Sequence, residues 1–290
     1  MVITVKYIYF KKYMTFIQLA ILLLLGNNIQ AAGVGSTDAI IIIGSSYANG
    51  TTRLDDNHLG SLFGLAVASG GYLSLGDALV REKTLNGLVI NEANVGSTTF
   101  GRYSCSLYEC LPYGQLHGYQ DQFDSALKRT AIYDPSIPGG VAGFNAKYLI
   151  IDIANDCLHS DAFGIPQVYT EHCTIDDMYH SAHAIIDIAL HAESLGMTVI
   201  IPLLPQYESL DLELVKLQLG LSWIVNKPHY DSISENYAEN LKTALVNAKI
   251  VDLWGKFQHR GDGIHPNRKT VTNAARRIAE MINKFEAAAP

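Results

Sequence analysis

Basic clusters are missing from this chain of 290 residues, in which 21 Lys and Arg face 28 Asp and Glu for a formal net charge of −7. That balance argues against a nucleic-acid partner and against electrostatic docking to anionic lipid. Cys-x-x-Cys is missing as well, so a zinc site built on paired cysteines is disfavoured. Its main N-terminal apolar stretch, Phe16 to Leu25, falls short of the about 20 residues that a membrane span takes. Internal repeats, linkers and low-complexity segments are absent, which leaves one large α/β domain as the expected organisation.

What is present at the N-terminus has a definite order. Lys6, Lys11 and Lys12 precede the apolar stretch, and Gly26-Asn-Asn-Ile-Gln-Ala31-Ala32 follows it. Basic, apolar and small-residue regions in that order match a secretory signal over residues 1–32, with cleavage near Ala31 or Ala32. An uncleaved anchor is the competing reading, because Val2–Phe10 is also rather apolar. No Cys lies near the cleavage site to take a lipid. Residues 1–32 hold three Lys and no acid, so the remaining domain, 33–290, carries −10. A secreted or periplasmic location is expected, with no stable membrane span after cleavage. The four cysteines, Cys105, Cys110, Cys157 and Cys173, all lie in the exported part. An even count in an oxidising compartment allows three connectivities, of which Cys105–Cys110 with Cys157–Cys173 closes two local loops.

Five apolar segments punctuate the domain: Ala39–Ile43, Leu88–Glu92, Tyr148–Ile153, Thr198–Leu203 and Ile250–Leu253. Helical spacing fills the intervals, notably over Ile175–Leu195, which Gly196 terminates, Ser234–Val246 and Thr270–Phe285. Strands that alternate with helices predict parallel pairing through right-handed crossovers and a three-layer α/β/α sandwich. Two loops are longer than connectivity requires: Thr51–Gly71, whose Leu59–Ala68 reads as a core helix or a crevice lining, and Thr99–Gly118.

Chemistry concentrates at two distant places. Asp262-Gly-Ile-His265-Pro-Asn267 sets a carboxylate three residues before an imidazole on a Gly- and Pro-punctuated loop. A carboxylate that holds the Nδ1 proton leaves the other ring nitrogen free to act as a base. At the other end, Asp38-Ala-Ile-Ile-Ile-Ile43-Gly44-Ser45-Ser46 is a buried strand that runs into a turn of small residues. The carboxyl end of such a strand faces the ligand crevice of open α/β sheets, and either serine there is a nucleophile or a helix cap.

With the strands, the serines and Asp-x-x-His in order, the chain resembles the SGNH hydrolases, also called GDSL esterases and lipases. The first block of that family resembles Gly44-Ser45-Ser46, with Ser45 in place of the usual Asp. The second resembles Asn94-Val95-Gly96-Ser97-Thr98, and the third Ile153-Ala154-Asn155-Asp156, with Ile153 in place of the usual Gly. The fourth, Asp262-Gly-Ile-His265-Pro, matches without change. The resemblance implies a five-stranded, flavodoxin-like parallel sheet and a Ser46–His265–Asp262 triad. It also implies an oxyanion hole from Ser46, Gly96 and the Asn155 amide, with neither metal nor organic cofactor. The substrate class it leads one to expect is a carboxylic ester of a lipid or of an acetylated carbohydrate. An acyltransferase with the same site and an inactive binding module of the same fold are the alternatives.

Other groups have duller explanations beside a functional one. His180, His183 and His191 share a predicted helix, where a metal would need Asp176 or Asp187 as a further ligand and a solvated face needs nothing. His159 and Asp161 are candidates for the site rim, and Tyr103, Tyr108, Tyr113 and Tyr119 for stacking on sugar rings. Asn49-Gly50-Thr51 fits an N-glycosylation pattern beside the nucleophile.

Overall fold

A computed structural model of the chain describes residues 38–49, 52–53, 72–85, 87–94, 96–100, 102–105, 110–116, 118–154, 156–158, 173–219 and 224–288. The elements in chain order are β1 Ala39–Ile43, α1 Ser46–Asn49, β2 Thr52–Arg53, β3 Tyr72–Leu73, α2 Leu75–Val80 and β4 Leu88–Asn91. Then come β5 Arg102–Cys105, β6 Cys110–Leu116, α3 Tyr119–Thr130, β7 Ala131–Tyr133, β8 Val141–Phe144 and β9 Ala146–Ile151. The last are α4 Ile175–Ser194, β10 Thr198–Pro202, a 3-10 turn Tyr207–Ser209, α5 Leu212–Leu219, α6 Lys227–Ala244, β11 Lys249–Val251 and α7 Arg268–Ala288.

The five apolar segments form one parallel sheet in the spatial order β4-β1-β9-β10-β11. Renumbered along the chain that order is 2-1-3-4-5, the flavodoxin-like arrangement, whose switch point lies between the first and third strands. β1 sits inside it, with Ile41 opposite Ile90 on one side and Leu149 on the other. This position explains the unbroken Ile40–Ile43 run, which is covered on both faces and has 0–1 % exposure. Each such isoleucine contributes about 1.5–3 kcal/mol through burial. Helices lie on both sides of the sheet: α2 packs on α7, whereas α3 and α6 flank α4.

Local signals account for most helix ends. Thr174 and Asp177 form a capping box that opens α4, and Gly196, with φ +84°, follows its end. α6 begins at Lys227, well before the expected Ser234. Asn226 caps it by accepting from the His229 N–H, with a proline in the first turn, and the polar first turn hides the apolar spacing. Sequence reading also passed over the antiparallel hairpin β7–β8, which leaves Tyr133 69 % exposed and so lacks the apolar run that marks the sheet strands. Cys157 and Cys173 are disulfide-bonded. Cys105 and Cys110 face each other in the register of the β5–β6 hairpin. Leu59–Ala68 lies outside the described residues. Among the described residues no helix is long and apolar enough to cross a membrane.

Candidate active site

The carboxyl end of β1 is held open by Gly44. Its φ of +141° suits glycine, and a Cβ there would lie 2.2 Å from the Asp152 Cβ. The Gln122 side chain of α3 grips this peptide twice: Oε1 accepts from the Gly44 N–H at 2.7 Å and Nε2 donates to the Gly44 carbonyl at 3.1 Å. The same carbonyl accepts from the Asn94 N–H at 3.1 Å, and the Asp152 N–H reaches Ile43 O at 2.9 Å. The ends of β4 and β9 are thereby locked to the end of β1.

The two serines separate beyond this point. Ser45 is 1 % exposed, below the turn, whereas Ser46 opens α1 and is half-buried. α1 is tied to β4 by the Asn49 amide donating to Ala93 O at 2.6 Å and the Asn91 amide donating to Ala48 O at 2.9 Å. The Asn49 nitrogen that a glycan would require is therefore already engaged.

Tyr47, next to Ser46, bridges to the far end of the chain. Its hydroxyl donates to Ile264 O at 2.6 Å, and its ring contacts Trp254, Phe257 and His265 at centroid separations of 5.2, 5.6 and 6.4 Å. Segments 217 residues apart are joined through a ring that is 4 % exposed. Sequence reading did not single out Tyr47. It is the second residue of α1, directly after Ser46.

Asp262 and His265 meet as their spacing predicts. His265 Nδ1 lies 2.8 Å from Asp262 Oδ2, while Asp262 Oδ1 accepts from the N–H groups of Ile264 at 3.2 Å and His265 at 2.9 Å. Burial alone would raise the Asp262 carboxyl, but the charge of His265, its hydrogen bond and the Arg260 charge outweigh it and hold the group well below the usual carboxylate range. An ionised Asp262 accepts the Nδ1 proton, and Nε2 is then the nitrogen with a lone pair. The loop itself is a tight hairpin: Arg260 N–H donates to His265 O, Asn267 N–H donates to Gln258 O, and His259 Nδ1 accepts from the N–H groups of Gly261 and Gly263. Gly263 is pressed against helix α5, and a Cβ there would lie 2.1 Å from Asp211 O.

Gly96 lies at a turn after β4, with φ +77°, followed by buried Ser97, Thr98 and Thr99. Asn155, the third expected oxyanion donor, lies outside the described residues, as do His159 and Asp161. Its neighbour Asp156 is fully buried and braces this side of the site. One oxygen accepts from the Thr99 N–H at 2.8 Å, and the other accepts from the hydroxyls of Thr99 and Ser181, both at 2.6 Å.

Tyr119 is corrected. It is 0 % exposed, and its hydroxyl donates to Ile153 O at 2.8 Å, so it belongs beneath the site and cannot stack on a sugar at the rim. The side chains of Tyr103 and Tyr113 and all of Tyr108 lie outside the described residues. The helical histidines do not converge. His180 approaches Asp176 on an exposed face at 3.4 Å, His183 lies tilted against Tyr179 with ring centroids 4.0 Å apart, and His191 meets Phe123 edge-on at 5.5 Å. Among the described residues no group of three or more His, Cys, Asp or Glu side chains is arranged to hold a metal ion.

Asp152 lies directly under the serine turn, and sequence reading missed it. Its Oδ2 accepts from the Ala48 N–H at 3.1 Å. Burial pushes its carboxyl up to about 7, against the lowering effect of the Ile153, Ala48 and Ser45 N–H groups. An acid raised on folding favours the folded state only while protonated. Stability is therefore fully retained below the unfolded value of 3.8 and is lost as pH rises toward 7. Asp152→Asn removes that charge and can keep an oxygen toward Ala48. The variant should gain on the wild type from pH 4 to about 7, by up to about 4 kcal/mol. Urea unfolding at pH 4.5 and pH 8 checks this, and a stability difference equal at both values refutes it.

No protein-family model matches this chain, and no curated protein does. Solved structures do. A carbohydrate acetylesterase family member from Sinorhizobium meliloti superposes with a TM-score of 0.50 at 12 % identity, over 86 % of this chain and 98 % of the other. A putative arylesterase from Agrobacterium tumefaciens gives 0.51 at 12 % identity, over 86 % and 99 %. Identities this low speak to architecture alone. The shared architecture is a five-stranded parallel sheet between helices, as the alternation of strands and helices in the sequence led one to expect.

Proposed function

We propose that this chain is a secreted serine esterase that hydrolyses carboxylic esters through an acyl-enzyme. One observation carries the reading: the Tyr47 hydroxyl ties the Ser46 turn to the loop on which Asp262 already holds His265. In the proposed reaction His265 Nε2 takes the Ser46 hydroxyl proton as Oγ bonds to the ester carbon. The carbonyl π pair moves onto oxygen, where the N–H groups of Ser46 and Gly96 and the Asn155 amide receive the charge. Each such donor is worth about 3–4 kcal/mol in the barrier. Collapse breaks the bond to the leaving oxygen, which His265 protonates. Water then repeats the cycle on the acyl-enzyme and regenerates the Ser46 hydroxyl. Asp262 keeps the imidazole in the required tautomer throughout. The signal-like residues 1–32 and the Cys157–Cys173 disulfide support secretion. The names of the structural neighbours favour an acetyl or other short acyl group on the substrate.

The test uses the purified chain with p-nitrophenyl esters from acetate to decanoate, followed by a fluorophosphonate label mapped by mass spectrometry. Turnover that is highest for acetate, with one label on Ser46, is the expected result. Label on Ser45, or absence of both turnover and label, refutes the reading. A maximum at the long chains would assign a lipid ester instead.

A further inference from the structure

Asp262 Oδ2 is shared. Besides the His265 Nδ1 contact at 2.8 Å, it receives a hydrogen bond from Arg260 Nε at 2.6 Å. The Arg260 side chain is only 12 % exposed, so solvent screens this pair little. Its own backbone N–H grips His265 O at 2.9 Å, so residue 260 holds residue 265 through both main chain and side chain. With Ile264 and His265 N–H groups on Oδ1, the carboxylate takes four hydrogen bonds, about all it can accept. The Arg260 bond is not needed to orient an imidazole, for which the carboxylate and the two backbone donors suffice.

We infer that Arg260 is a positioning residue of the Asp262–His265 pair, whose guanidinium draws charge from the shared oxygen and sets the pH at which the base becomes usable. The inference rests on the proposed esterase reading. Two groups bound to one oxygen cannot be farther apart than the two bonds laid end to end, which is within the about 6 Å over which like charges act strongly on each other. A protonated His265 thus faces the Arg260 cation directly, and Asp262, half neutralised by that cation, offsets less of the cost. Among the described residues, other polar and titratable groups around the loop include His259, whose Nδ1 is occupied by two N–H groups, Asp211 at the start of α5, and the buried Tyr47 hydroxyl. Among the described residues, Arg260 is the permanent cation hydrogen-bonded to the Asp262 carboxylate itself.

The experiment compares pH–rate profiles of the wild type, Arg260→Gln and Arg260→Lys on p-nitrophenyl acetate, together with the His265 Nδ1–H proton resonance. In Arg260→Gln the acid limb of kcat/KM should move up by about one pH unit, which is about tenfold less activity on that limb, with KM little changed. Its Nδ1–H resonance should move downfield, because the carboxylate becomes a better acceptor. Arg260→Lys should restore the wild-type limb. An unmoved limb in a folded Arg260→Gln protein, or a lysine variant that behaves like glutamine, overturns the inference. An inert wild type whose Nδ1–H resonance still responds to Arg260→Gln would sink the esterase reading and leave Arg260's role standing. If Arg260→Gln does not fold, hydrogen exchange at the wild-type Arg260 Nε–H decides: slow exchange is expected, and free exchange overturns the proposal.

Discussion

Ser46→Ala should cut kcat by about 10⁴- to 10⁶-fold and leave the circular dichroism spectrum and Tm nearly unchanged. The size follows from the proposed chemistry. Without Oγ no acyl-enzyme forms, and only binding and charge stabilisation remain. The unchanged fold follows from the position: Ser46 is half-buried at the start of a four-residue helix, and the adjacent Tyr47 supplies the anchoring. Ser45→Ala is the informative control. Its side chain is buried and hydrogen-bonded to the Tyr119 hydroxyl. Its loss should cost stability, about 1 kcal/mol, and not turnover. Steady-state kinetics with thermal melts separates the two serines. Turnover that disappears with Ser45 and survives without Ser46 would contradict the nucleophile assignment.

Gly44→Ala should be severely damaging, with a loss above about 4 kcal/mol and little folded protein recovered. A Cβ there would overlap the Asp152 Cβ at 2.2 Å and come within 3.2 Å of the Asp152 Cα, and φ +141° is unfavourable for any L side chain. The neighbour cannot retreat, because Asp152 N–H is bonded to Ile43 O and its carboxylate to Ala48 N–H. The clamp from Gln122 allows no shift on the other side. Urea denaturation of the variant against Gly143→Ala, whose Cβ meets nothing within 4 Å, measures the difference. Equal midpoints would show that the strand ends can part.

The sheet was legible in the sequence because burial on both faces removes alternation: Ala39–Ile43 and Thr198–Pro202 read as unbroken apolar runs. Ends were less legible. β9 begins at Ala146, before the apolar run, since Asn145 is already bonded to Thr130 O and Ala39 N–H. Asp262 and His265 could be paired by spacing alone, being three residues apart on one turn. Gln122, Asp152, Tyr47 and Arg260 could not be singled out. The first three act across 78, 104 and 217 residues, and spacing carries no information about such partners. Arg260 was near enough, but its value lies in a shared oxygen, which only coordinates reveal.

The brace at Asp156 extends the site's vulnerability well outside the crevice. Ser181 sits on the buried face of α4, yet its hydroxyl also bonds a carboxylate that fixes Thr99, three residues after Gly96. A screen for lost turnover would therefore flag the middle of a core helix, and an engineer who grafts these strand-end loops onto another scaffold would have to bring that serine along.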